Sequence, residues 1–297
     1  MSKTQAHRTL LALAVCFALA GQPVLGSEKQ VKCDIAAAQD AARRLAEKYG
    51  GPGNVLVIFD ADNTLLKSAV TLGSDQWFTW QSEMIGRIPT EGRSSYLVAD
   101  NFADLIRIQD ILHFLGSMVP PDPRAPLVVR ELQNEGFSCM VCTSRGAETH
   151  DVLARELRRN GYEFGNRAPG PAPCGLFKPE GAAAEVSYDD GVFMTSGQNK
   201  GQMLTSLMKM LAVGFKAVVF VDDSAKNTDR VYEHLDAARL DVWTIRYSCE
   251  DNVVTDFRAN RDGVQELVKA QWEKMKAVLS DIWGRTAYPQ PALTLSR

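Results

Sequence analysis

Val57-Ile58-Phe59-Asp60-Ala61-Asp62-Asn63-Thr64-Leu65-Leu66 is the stretch on which the fold turns. Read from Asn54, the run NVLVIFD is short and continuously apolar, with the Val, Ile and Phe content of a strand covered on both faces. It ends in two carboxylates two residues apart. In parallel sheets, ligands sit at the carboxyl ends of the strands. A surface turn rich in Asp and Asn has the same composition. A calcium loop starts the same way but needs Gly at its sixth position and Glu at its twelfth, where Leu65 and Thr71 stand.

Outward from this stretch the pattern repeats. Apolar strand-like runs recur at 137–143 (FSCMVCT), 215–222 (FKAVVFVD) and, more weakly, 241–248 (DVWTIRYS). Helical patterns alternate with them: a helix introduced by Asp34 and ended by Gly50-Gly51, then Thr149 to Asn160, Lys200 to Leu211, and Asn227 to Arg239. This alternation predicts an α/β fold, a Rossmann-like parallel sheet flanked by helices. The stretch 66–135 is too long for one crossover. It has helical periodicity at Gln76 to Ile85 and Phe102 to Leu115, so it reads as a helical cap inserted after the first catalytic strand. The α/β core then comprises 27–65 and 136–283, and 284–297 reads as a flexible C-terminal tail. Asp189-Asp190-Gly191 reads as a hairpin turn, and no internal repeat is evident.

Each further strand end carries reactive groups. FSCMVC runs into Thr143-Ser144-Arg145, AVVFV runs into Asp222-Asp223, and Lys200 opens a helix after Ser196-Gly197-Gln198-Asn199. In this order the chain resembles the haloacid dehalogenase (HAD) superfamily of phosphotransferases. Asp60, Asp62 and Thr64 match its first motif, Thr143 the second, Lys200 the third, and Asp222-Asp223 the fourth. DADNTLL, the Leu72-to-Phe78 segment and CTSRG further resemble a secreted branch known mainly as a domain of unknown function.

The resemblance implies a phosphatase with Mg²⁺ as cofactor. Asp60 and one or both of Asp222 and Asp223 are the candidate carboxylate ligands, and the backbone carbonyl of Asp62 is a further ligand by resemblance. Mg²⁺ takes oxygen donors and offsets the charge of a phosphate ester. Asp60 would attack phosphorus to give an aspartyl-phosphate. Asp62 would protonate the leaving oxygen and then activate water. Thr143 and the amides after Asp60 would hydrogen-bond the phosphoryl oxygens, with Lys200 offsetting their charge. Arg145 either forks onto a substrate phosphate or is a surface-loop arginine. Asn227 either steadies the metal shell or caps the following helix. Trp77, Phe78 and Trp80 either line a pocket or form cap core. The four histidines form no metal-ligand spacing, and His113 and His150 read as structural or exposed.

Met1 to Gly26 reads as a secretory signal: Lys3 and Arg8, then apolar Leu10 to Ala20, then small residues ending at Val24-Leu25-Gly26. The apolar run is too short for a bilayer core, which needs about 20 residues. The mature protein is therefore expected in the periplasm or secreted, with no stable membrane anchor. Removing Lys3 and Arg8 takes the net charge from −3 to −5. That balance lacks the clustered cations of a general nucleic-acid binder. The expected partner is a small phosphorylated substrate, and no oligomeric state is assigned. Cysteines 33, 139, 142, 174 and 249 remain, and their connectivity is not readable from sequence. Cys139 and Cys142 read as core residues on opposite faces of a strand. Two other functions share these motifs: a non-catalytic binding protein on the same fold, and a phosphotransferase or phosphomutase.

Overall fold

In the computed structural model, which describes residues 26–170 and 175–284, the first apolar run is a strand buried on both faces. Val55, Val57 and Phe59 enter one apolar layer, Leu56 and Ile58 the other. Two-sided burial is why the run is continuously apolar and does not alternate. In chain order the elements are β1 (Glu28–Lys32), α1 (Ala37–Tyr49), β2 (Val55–Phe59), β3 (Lys67–Ser68), α2 (Asp75–Glu91) and α3 (Phe102–Leu115). Next come β4 (Met118–Val119), α4 (Ala125–Asn134), β5 (Ser138–Thr143), α5 (His150–Arg159), β6 (Gly175–Phe177), β7 (Val186–Asp189) and β8 (Val192–Met194). The chain continues through α6 (Lys200–Met210), β9 (Ala217–Asp222), α7 (Ala225–Ala237), β10 (Asp241–Tyr247), α8 (Asp251–Arg258) and α9 (Val264–Trp283).

Among the described residues eight strands form one sheet in the order β1-β10-β9-β2-β5-β8-β7-β6. Neighbours from β1 to β8 are parallel, and β7 and β6 add an antiparallel edge. The fold is thus α/β and Rossmann-like. Helices α1, α4 and α5 cover one face; α6 and α7 cover the other. Cys139 and Cys142 lie fully buried in opposite layers. Asp190 and Gly191, with φ of +46° and +73°, join β7 to β8, the left-handed pair that a tight hairpin requires. Strand β1 was not anticipated, because its residues EKQVK are polar and mostly exposed. Its pairing with β10 holds it, not burial.

The insertion after β2 is narrower than the expected 66–135. Its stem is closed by β3 pairing antiparallel with β4, Lys67 opposite Val119 and Ser68 opposite Met118. Helix α4 belongs to the core, because Ala125, Val128, Val129 and Leu132 recur at helical spacing and bury against the sheet. Conversely, the last two helices serve the insertion. Phe257, Val268 and Trp272 share one apolar cluster with Trp77, Val98, Ala99, Leu105 and Ile108. The expected export signal, apart from Gly26, and the tail beyond Gly284 lie outside the described residues, as does Cys174. No helix among the described residues is long and apolar enough to cross a membrane.

Trp77, fully buried in that cluster, is the largest buried side chain that the insertion shares with the C-terminal helices. Trp77→Ala should cost about 3–5 kcal/mol in equilibrium denaturant unfolding. A loss under 1 kcal/mol would show that the cluster is not a stabilising core.

Candidate active site

Three parallel strands end side by side, β2 into Asp60, β5 at Thr143 and β9 at Asp222. The Asp60 amide donates to the Val221 carbonyl at 2.8 Å, which fixes the two ends in register. Beyond Asp60 the chain folds back, with the amides of Leu65 and Leu66 both donating to the Ala61 carbonyl. Asn63 takes φ +54° in this turn, a left-handed conformation that asparagine tolerates better than most residues. Its side-chain amide then donates to Asp223 at 3.3 Å.

The lysine is delivered by a second set of contacts. The amides of Thr195 and Gly197 donate to the carbonyls of Thr143 and Ser144, latching the loop before α6 onto the end of β5. Asn199 caps α6, its Oδ1 accepting from the amides of Gly201 (3.0 Å) and Gln202 (3.2 Å). A Cβ on Gly201 would lie 2.4 Å from the Arg230 carbonyl oxygen on α7, so glycine sets the approach of α6 to α7. Lys200, 1% exposed, thereby reaches Asp60 Oδ1 at 2.5 Å and Asp222 Oδ2 at 2.7 Å.

Acidic groups outnumber this ammonium. Asp60, Asp222 and Asp223 each offer a carboxylate oxygen within 4.8 Å of the others. Burial pushes the Asp60 carboxyl well above the usual range; Lys200 opposes this, and the charges of Asp222 and Asp62 add to it. Asp223 is likewise raised, by burial and then by Asp60, Asp75 and Asp222. Burial disfavours charge on Lys200, but Asp222 and Asp60 outweigh it and raise the ammonium above its ordinary value. Asp222 is fully buried, and its oxygens also accept from the Ser224 amide and from Asn227 Nδ2 at 3.1 and 3.2 Å. Asn227 therefore steadies Asp222, and the helix cap at this position is Ser224.

Asp62 points elsewhere. Arg145 grips it in a fork, Nε to Oδ2 at 2.9 Å and Nη2 to Oδ1 at 2.7 Å. Burial would raise the Asp62 carboxyl, but the Arg145 charge and hydrogen bonds outweigh it and hold the group below the usual range. Arg145 is 9% exposed, so it is not a surface-loop arginine. Asp60, Asp62, Thr143, Arg145, Lys200 and Asp223 all line one cavity of about 300 Å³. Thr64 is buried outside that lining.

The insertion closes the cavity with residues that the sequence reading did not single out: Asp75, Ile106, Gln109 and Asp110. Phe78 lines it too, whereas Trp77 is cluster core and Trp80 packs edge-on against Phe257. His113 is a wall residue. Gln109 Nε2 donates to the Gly73 carbonyl at 2.7 Å and contacts His113 Nε2 at 2.8 Å. Burial and the Arg145 charge push the His113 imidazole down to about 3, so it is neutral at physiological pH. Helical spacing on α3 places Gln109 and His113 on one face, but nothing in that spacing says which face meets the sheet.

The chain matches, over residues 32–283, the family described as Protein of unknown function (DUF2608), and it belongs to that family. No curated protein matches it. Among solved structures it is similar to a haloacid dehalogenase-like family hydrolase from Streptococcus pneumoniae, at 12% identity over 65% of this chain and 94% of that one, TM-score 0.39. A HAD family enzyme from Bacteroides thetaiotaomicron matches at 14% identity over 65% of this chain and 93% of that one, TM-score 0.31.

Two consequences are measurable. Gly201→Ala must push α6 off α7, and should cost about 1–3 kcal/mol in thermal or denaturant unfolding; an unchanged midpoint would show that the approach is not tight. The Asp110 carboxyl is raised from 3.8 to about 6, by burial and then by Glu148. The folded chain therefore holds a proton there that the unfolded chain has lost. This contribution is complete below pH 3.8 and disappears as pH rises through about 6. Asp110→Asn should flatten that part of the stability–pH curve, and a variant curve parallel to wild type would contradict the assignment.

Proposed function

We propose that this member of the DUF2608 family is a Mg²⁺-dependent phosphate monoester hydrolase of the haloacid dehalogenase type, exported from the cytoplasm and acting on a small substrate. The observation that carries the reading is the charge balance at the strand ends. Three clustered carboxyl groups face one buried ammonium, and two of the three are driven up by burial and then by their acidic neighbours. An all-oxygen donor set with surplus negative charge suits a hard divalent cation. Asp60 and Asp223 line the cavity and Asp222 closes the set from beneath; the Asp62 carbonyl is a further donor by resemblance. When bound, Mg²⁺ supplies the positive charge that lets a phosphate dianion approach these carboxylates.

The chain's own groups then divide the work. Asp60 is the nucleophile: a carboxylate oxygen attacks phosphorus and forms an aspartyl-phosphate, splitting one difficult hydrolysis into two easier displacements. Lys200 holds Asp60 Oδ1 in place and offsets charge on the phosphoryl oxygens. The Thr143 hydroxyl accepts from the Arg145 amide at 3.2 Å, which leaves its own proton to donate to a phosphoryl oxygen. Asp62 protonates the leaving oxygen and later takes a proton from water. Arg145 stabilises the ionised form of Asp62, so proton donation competes with the fork. Good leaving groups, which need little protonation, are therefore the favoured substrates.

Cavity size supports a small leaving group enclosed by Phe78, Ile106 and His113. Export is supported by the tripartite pattern of Met1 to Gly26.

Purified mature protein with Mg²⁺ should release inorganic phosphate from an aryl phosphate faster than from an alkyl phosphate. EDTA should abolish turnover, and Asp60→Asn should lower kcat by about 10⁴-fold or more. Wild-type turnover by Asp60→Asn would rule out the covalent mechanism. No release across a broad ester panel, with tight retention of a protein partner, would favour the non-catalytic reading.

A further inference from the structure

The sheet brings two distant cysteines together. Strand β1 runs parallel to β10 with Lys32 opposite Tyr247, and the Ser248 amide donates to the Lys32 carbonyl at 2.8 Å. Cys33 and Cys249 therefore leave the same edge side by side. Their Sγ atoms are 2.6 Å apart, and Cys249 Sγ lies 3.0 Å from the Cys33 carbonyl oxygen. Two sulfurs at that separation are closer than unbonded atoms settle, since even carbon atoms keep about 3.5–4.0 Å. Cys33 is exposed and Cys249 partly so, whereas Cys139 and Cys142 are sealed in opposite apolar layers. Burial pushes the Cys139 thiol up to about 12. A buried thiol of that kind is inert to exchange.

We propose that Cys33 and Cys249 form an intrachain disulfide that staples β1 to the junction of β10 with α8. The link bears on the insertion as well as on the edge strand. Glu250, the next residue, accepts from Lys67 Nζ at 2.7 Å, and Lys67 is in the β3 half of the insertion's stem. Helix α8 starts at Asp251 and carries Phe257 into the cluster around Trp77. Fixing residue 249 thus fixes the point from which the chain grips both the stem and the helices over the cavity. This holds whatever reaction the site performs.

The oxidant is a disulfide donor. One cysteine thiolate attacks a donor sulfur, forming a mixed disulfide and releasing one donor thiolate. The second protein thiolate attacks the protein sulfur of that mixed disulfide, the new S–S bond forms, and the second donor thiolate leaves. Two protons leave the protein thiols, and two electrons reduce the donor.

The test uses the wild-type mature chain equilibrated in an oxidised/reduced glutathione buffer and digested without reduction. The expected result is one peptide pair joining Cys33 to Cys249, lighter by two hydrogens than the separate peptides. The oxidised chain should also melt about 5–10 °C above the reduced one. That difference should vanish in Cys33→Ser, whose midpoint should match reduced wild type. Free thiols at both positions after equilibration, or either cysteine joined to Cys174, would overturn the proposal.

Discussion

Lys200 is the point on which the site is built. Its ammonium is buried against Asp60 at the end of β2 and Asp222 at the end of β9, and among the described residues no other cation pairs with both strand ends. A buried ion pair is rarely a net gain in stability, because desolvation offsets much of the attraction. It is better understood as a constraint on position. For Lys200 to reach both acids, the loop before α6 must be latched to β5, Asn199 must cap the helix, and Gly201 must let α6 lie against α7. The remaining acidic groups, Asp60 and Asp223 in the cavity wall, are the ones whose ionised form a bound cation would favour.

The second organising constraint is the clamp on the insertion. Its two-stranded stem rises beside the first motif, and its helices share a buried cluster with α8 and α9 from the far end of the chain. The roof of the cavity is therefore held from two sides. That arrangement explains how α3 can present Gln109 and His113 as fixed wall residues, with Gln109 anchored to the Gly73 carbonyl. It also explains why the Arg145–Asp62 fork can be so enclosed: Arg145 lies beneath the insertion and not on an open loop.

The core was legible because two-sided burial writes itself as continuous apolar runs, and β2, β5, β9 and β10 all have them. The site was legible because its acids and its lysine stand at the ends of those runs and at a helix start. Other parts left weaker marks. Strand β1 is polar and recognisable only by its partner. Helix α4 is amphipathic like any cap helix, and what separates it from the insertion is the β3–β4 pairing together with the burial of its apolar face against the sheet. Arg145 could be read as a substrate-binding residue or a surface one, and its grip on Asp62 spans 83 positions that no local pattern connects. The cluster joining Trp77 to Trp272 is likewise a long-range fact.

Calorimetric titration of the metal-free mature protein with MgCl₂, paired with its thermal midpoint, tests most directly whether the clustered acids form a cation site. A ligand that binds the folded state alone raises the midpoint, and the stabilisation grows with the logarithm of one plus the ratio of free ligand to Kd. Saturable heat and a rising midpoint in wild type, both lost when Asp222 and Asp223 are changed to Asn, are the results this account predicts. A flat titration with an unmoved midpoint in wild type would contradict it.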